Sequence, residues 1–218
     1  MTFCLKTTIV KPESNNPINN AVILLHGYGG DGSDISMLTL GWKRFLPNTI
    51  FLSPNGHEKC SINPSGFQWF DLTKDDPQYI LEQSKIAEIK LIKFINEVKN
   101  EYNLKNSQIC LSGFSQGCMM SINLGLTNDE NFNCIVGFSG KIINQEDLIK
   151  RKIASTKMLL IHGEQDGVVS PTFLLEIKDF LIRNKVEVET KMIKNCDHNI
   201  PVEASSYALN YIKNNLKV

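Results

Sequence analysis

Residues 108–126 read Gln-Ile-Cys-Leu-Ser-Gly-Phe-Ser-Gln-Gly-Cys-Met-Met-Ser-Ile-Asn-Leu-Gly-Leu. The opening run, Gln108 to Ser112, is short, apolar and bounded, as a buried strand should be. After it, Cys118, Met119, Ile122 and Leu126 repeat at helical spacing. Between the two patterns stands Gly113-Phe-Ser-Gln-Gly117. A serine at a strand-to-helix corner predicts a nucleophile elbow, whose strained backbone holds the hydroxyl clear of the sheet. Flanking glycines let the strand and the helix approach the tight turn. The bland alternative is a Gly-Ser turn with a solvated hydroxyl. Strand before and helix after favour the elbow.

The same alternation extends outward in both directions. Candidate strands are Lys6–Val10, Ala21–Leu25, Thr49–Leu52, Gln108–Leu111, Cys134–Phe138, Lys157–Ile161 and Val186–Met192. Several are apolar throughout, which marks strands covered on both faces. Candidate helices are Asp34–Phe45, Pro77–Tyr102, Ser115–Leu126, Gln145–Arg151, Pro171–Asn184 and Pro201–Leu216. In the longest, Ile80, Ser84, Ala87, Leu91, Ile95, Val98 and Tyr102 share one face, and Lys and Glu occupy the rest. Pro171 and Pro201 suit first-turn positions, where a missing N–H costs nothing. The fold expected is α/β, with a mostly parallel twisted sheet and helices on both faces, and residues 1–218 as one domain. The longest irregular stretch, Ser53–Asp76, is rich in Pro, Gly, Asn and Ser. A loop of that length in a compact domain is usually functional.

A serine hydroxyl needs a histidine to take its proton and a carboxylate to orient that histidine. In the α/β-hydrolase arrangement these occur in the order serine, acid, histidine. The histidines are 26, 57, 162 and 198, and His198 alone follows every plausible acid. The preferred acid is Asp166, just past the carboxyl end of the strand Lys157–Ile161, with Glu164 and Asp197 as competitors. An oxyanion formed by attack needs backbone donors. One is the N–H of Gln116, after the nucleophile and at a helix start. The second is expected from the glycine-rich turn His26-Gly-Tyr-Gly-Gly30, through the N–H of Tyr28, with His26 as a hydrogen-bonder within the loop.

Bulk properties narrow the setting. Basic and acidic residues balance at 23 each, so no basic stripe points to nucleic acid. The first ten residues hold no apolar core for a signal peptide, and no run reaches the ~18 residues of a membrane span. The six cysteines form no C-x-x-C pair, so neither a zinc site nor a disulfide frame is expected, and the anticipated address is cytoplasmic.

Taken together, His26-Gly-Tyr-Gly-Gly-Asp31, Gln68-Trp-Phe-Asp71, Gly113-Phe-Ser-Gln-Gly117, Phe138-Ser-Gly140, His162-Gly-Glu-Gln-Asp-Gly-Val-Val169 and His198 resemble the phospholipase/carboxylesterase family, which includes acyl-protein thioesterases and small bacterial carboxylesterases. The resemblance runs in order over nearly the whole chain. It implies an α/β-hydrolase fold without a large lid domain, and hydrolysis of esters or thioesters with no metal or cofactor. It implies Ser115, Asp166 and His198 as triad and Tyr28 and Gln116 as oxyanion donors, in agreement with the residue-level reading. It also implies Trp69 beside the acyl pocket. Ile62, Phe67 and Phe70 belong to the same long loop, which either lines an acyl channel or forms a packed cover. Two positions depart from the family pattern: Cys118 replaces a small residue such as glycine, and Ser170 stands where proline is usual.

Carboxylic ester hydrolysis on a small-molecule or acylated substrate is therefore expected, from a monomer or weak homodimer. One rival is a thioesterase or lysophospholipid esterase using the same machinery. The other is a non-catalytic relative that only binds, which the complete set of triad residue types disfavours.

Overall fold

The computed structural model describes residues 3–12, 16–151 and 153–216. Among them, seven strands form one sheet, in the order β1-β3-β2-β6-β7-β8-β9. These are β1 (Thr7–Val10), β2 (Asn20–Leu25), β3 (Thr49–Pro54), β6 (Ile109–Phe114), β7 (Cys134–Phe138), β8 (Met158–Gly163) and β9 (Val188–Ile193). Only β1 runs antiparallel to its neighbour. The expected mostly parallel α/β architecture is thus found, and each expected strand lies within three residues of an observed one.

The helices are α1 (Gly32–Ser36), α2 (Thr39–Trp42), α3 (Pro77–Tyr102), α4 (Gln116–Thr127), α5 (Gln145–Lys150), α6 (Thr172–Arg183) and α7 (Val202–Leu216). Successive side chains of a strand point to opposite faces, so each apolar strand feeds two cores. In β2, Ala21, Ile23 and Leu25 join the core under α3, α4 and α6, while Val22 and Leu24 join the one under α1, α2 and α7. No helix among the described residues is long and apolar enough to cross a membrane.

α3 has the bounds its sequence suggests, because both ends carry strong signals. The Asp76 carboxylate accepts the N–H groups of Gln78 and Tyr79, and Pro77 opens the helix. Asn103 closes it in the left-handed conformation, φ 51° and ψ 48°. Its buried face is wider than expected. Glu88 is buried there, paired at 2.5 Å with Arg151 and hydrogen-bonded by Asn123 at 2.9 Å and Thr127 at 3.3 Å. A carboxylate placed so needs such partners.

Two expectations need correction. Asp34–Phe45 is not one helix but α1, α2 and a 3₁₀ turn at Lys43–Phe45. Side-chain hydroxyls compete with the helical ladder there: Ser36 Oγ donates to the Ser33 carbonyl and Thr39 Oγ1 to that of Ser36, both at 2.7 Å. Gly41 adds the weakest propensity short of proline. Nor is Ser53–Asp76 wholly irregular. It contains a small hairpin, β4 (Glu58–Lys59) with β5 (Phe67–Gln68), whose neighbours brace the loop after β2.

Candidate active site

Four loops converge at the carboxyl ends of the parallel strands, the edge where open α/β sheets collect their ligands. They follow β2, β6, β8 and β9. Ser115 follows β6 with φ 53° and ψ −117°, a strained conformation for a residue with a Cβ. Two close approaches hold it so. A Cβ on Gly113 would overlap the Gly117 carbonyl, and one on Gly117 would overlap that of Leu25. The Ser115 N–H donates to the Phe138 carbonyl of the next strand at 2.8 Å.

The loops after β8 and β9 extend the pairing of those strands. Glu164 N–H donates to the Ile193 carbonyl and Gln165 N–H to that of Cys196, at 2.9 and 2.8 Å. This register presents Asp166 to His198. His198 Nδ1 lies 2.7 Å from Asp166 Oδ2, and its Nε2 lies 3.0 Å from Ser115 Oγ. The other carboxylate oxygen, Asp166 Oδ1, accepts the N–H groups of Val168 and Val169 at 2.9 and 2.8 Å. Burial alone would push the Asp166 carboxyl up. The bonds from His198, Val169 and Val168 outweigh it and hold the group below its ordinary value, as a carboxylate. The competing acids face elsewhere: Glu164 accepts the Asn195 N–H, and Asp197 accepts from the Asn199 amide.

Neither the Tyr28 nor the Gln116 N–H reaches a protein acceptor among the described residues. The second opens α4, where the helix adds positive potential. The glycine-rich loop that carries Tyr28 is tied down at several points. Gly29 N–H donates to Phe67 O and Phe67 N–H to Gly30 O, both at 2.9 Å. Asn63 Nδ2 donates to Gly29 O at 2.7 Å, and the Tyr28 hydroxyl meets Ser61 Oγ at 2.9 Å.

The three residues expected around an acyl pocket part company. Trp69 and Phe70 are fully buried. Ile62 is 74% exposed, on the loop beside Tyr28. The reason is hydrogen bonding. A buried indole N–H needs an acceptor, and Trp69 Nε1 finds the His26 carbonyl at 2.9 Å. The Gln116 side chain accepts the Trp69 N–H at 2.8 Å and donates to the Phe70 carbonyl at 2.6 Å. Trp69 therefore links the elbow to the glycine-rich loop. Nothing in the sequence singles out the Gln116 amide for this task. The departure at Cys118 is also absorbed: its Sγ fills space that a Cβ on Gly137 or Gly140 would take.

Two buried histidines support the loops. His26 Nε2 accepts the Gly56 N–H at 2.8 Å, so the ring proton sits on Nδ1, which donates to the Gly27 carbonyl at 2.7 Å. His162 Nε2 donates to the Val169 carbonyl at 2.9 Å. Burial lowers both below the ordinary histidine value. Folded, each therefore stays neutral to lower pH than in the unfolded chain, which takes up protons near pH 6.5. Stability should fall as pH drops through that region, by up to about 1.4 kcal/mol per pH unit for each proton. Asp166 acts lower, because a depressed carboxyl is destabilising only below the ordinary carboxylate range. Urea midpoints between about pH 7 and pH 5 should decline in the wild type and decline less in His162→Gln, whose amide replaces the Nε2–H donor. Equal slopes would contradict the neutral assignment.

The sequence pattern of the phospholipase/carboxylesterase family matches residues 6–216. Acyl-protein thioesterase 1 of Emericella nidulans is 29% identical, over 70% of this chain and 71% of that protein. Esterase YpfH of Escherichia coli is 25% identical, over 91% of this chain and 84% of its own. The crystal structure of esterase PE8 superposes with a TM-score of 0.91 at 30% identity, covering 96% of this chain and 98% of that one. With that match over nearly its full length, the chain belongs to the phospholipase/carboxylesterase family, and it is a carboxylic ester hydrolase of the α/β-hydrolase fold.

Proposed function

We propose that the chain cleaves carboxylic esters through a covalent acyl-enzyme formed on Ser115. The observation that carries this reading is the run of contacts from Ser115 Oγ to His198 Nε2 at 3.0 Å and from His198 Nδ1 to Asp166 Oδ2 at 2.7 Å. Ser115 Oγ attacks the carbonyl carbon as its proton passes to His198 Nε2. Asp166 holds the Nδ1–H tautomer and balances the imidazolium charge. The carbonyl oxygen, now an oxyanion, takes the N–H groups of Tyr28 and Gln116, each worth about 3 kcal/mol in related chemistry. His198 returns the proton to the departing alcohol, and water then repeats the sequence to free the acid. The scheme needs no cofactor. The uncrosslinked cysteines, all buried but Cys4, fit a reducing, cytoplasmic setting, and a monomer or weak homodimer is proposed.

A second reading is an acyl-protein thioesterase, the name carried by relatives such as those of Emericella nidulans and Yarrowia lipolytica. The same groups serve a thiol leaving group, so paired oxoester and thioester substrates with one acyl chain separate the two. The shared mechanism predicts that a fluorophosphonate labels the protein once, and mass spectrometry should map the adduct to Ser115. A protein left unlabelled, or labelled elsewhere, is incompatible with the proposal.

A further inference from the structure

An open cavity of about 1000 Å³ runs outward from the site between the α1–α2 segment and α7. That is the upper end of ordinary small-molecule pockets. Its walls are mostly apolar, with Met37, Leu38 and Phe45 on one side and Ile200, Val202 and Leu209 on the other, and Asp34, Arg44, Asn199, Ser206 and Asn210 add polar groups among them. Trp42 and Ser205 bridge the two walls through an indole N–H to hydroxyl bond of 2.9 Å. Met37, Phe45 and Val202 keep 62%, 39% and 84% of their surface exposed, an apolar rim of the kind that marks a binding groove. Beside them Gly41 is exposed at the edge of the groove, and a Cβ built there meets nothing within 4 Å, so a larger side chain has room. No residue of the 53–76 segment lines this groove.

The inner end is what identifies the occupant. It is formed by Tyr28, Phe114 and His198, with the Phe114 ring 4.7 Å from the imidazole. We propose that the groove seats an aliphatic chain on the leaving-group half of the substrate, an alcohol or thiol. This rests on the ester-cleaving scheme above. There, the bond from Ser115 Oγ to the carbonyl carbon forms as the bond to the leaving oxygen or sulfur breaks. The leaving atom keeps the electron pair and takes the proton from His198 Nε2. It must therefore lie against the imidazole, and a chain attached to it passes straight into the groove. From Val202 to Asn210 the wall rises roughly 12 Å at 1.5 Å per residue. At ~1.2 Å per bond of an extended chain, that fits about ten atoms.

The test compares two mirrored series: ethyl, hexyl and decyl acetate, and the ethyl esters of acetic, hexanoic and decanoic acid. In wild type, kcat/KM for decyl over ethyl acetate should be about tenfold or more, the gain expected from burying a few methylenes. Gly41→Phe, which sets a ring at the edge of the groove, should collapse that ratio and leave the acid-series ratio as it was. Collapse of the acid series instead would put the acyl half in the groove and overturn the proposal, as would no change in either ratio. An activity-free measurement accompanies it. In Ser115→Ala, 1-decanol should alter tryptophan emission through Trp42, and Gly41→Phe should abolish the response. No response to decanol overturns the groove assignment alone. A response without any wild-type turnover or Ser115 labelling marks failure of the ester-cleaving scheme, and the leaving-group assignment falls with it.

Discussion

Ser115→Ala should reduce turnover of an activated acyl ester by about a millionfold while the protein stays folded. Among the described residues the hydroxyl makes a single hydrogen bond, to His198 Nε2 at 3.0 Å, so its loss opens no network. The strained turn does not depend on it either. The Ser115 conformation is held by the close approaches of Gly113 and Gly117 and by the N–H bond to Phe138, all of which alanine keeps. Catalysis by the proposed scheme has no such reserve: without Oγ it forms no acyl-enzyme, and what remains is whatever the Tyr28 and Gln116 N–H groups would add to attack by water. Initial rates and a thermal unfolding curve on the same preparation check both halves of this statement. A variant within tenfold of wild type would place the nucleophile elsewhere.

The elbow was readable because two periodicities meet at it. An all-apolar strand and a helical repeat can flank Gly-Phe-Ser-Gln-Gly only if the chain turns sharply at Ser115. Chain order singled out His198, and a place just past the end of β8 favoured Asp166 over Glu164 and Asp197; the β8–β9 register brings the two side chains together. α3 was readable to the residue because Asp76-Pro77 and Asn103 are local signals.

What resisted reading depends on distant partners. Glu88 looks like one of many surface glutamates until Arg151, sixty-three positions away, meets it. Aromatic residues in a long loop suit either a pocket wall or a packed cover, and the resemblance alone set Trp69 beside an acyl pocket. The backbone of Trp69 and of Phe70 is bonded by the Gln116 amide, forty-seven and forty-six positions away. The groove was invisible for the same reason. Its walls are two sequence segments more than 150 positions apart, joined by Trp42 and Ser205. Each segment alone reads as an ordinary amphipathic stretch.

Asp166→Asn should cost about ten-thousandfold in kcat with little change in shape, because it reverses the histidine's tautomer. The two carboxylate oxygens are not equivalent. Oδ1 faces the N–H groups of Val168 and Val169 and must remain an acceptor. In asparagine the carbonyl oxygen therefore keeps that position, and the amide NH₂ turns to His198. A donor facing His198 Nδ1 forces that atom to accept, which puts the ring proton on Nε2. Nε2 then has no lone pair for the Ser115 proton, and the nucleophile stays a neutral hydroxyl. Fluorophosphonate labelling should slow in parallel with ester turnover, since both need the same proton transfer. The discriminating comparison is with Glu164→Gln and Asp197→Asn, whose acids point away from the imidazole and should stay within tenfold of wild type. If either of them matched the loss at Asp166→Asn, the orienting acid would not be the one that the β8 loop presents.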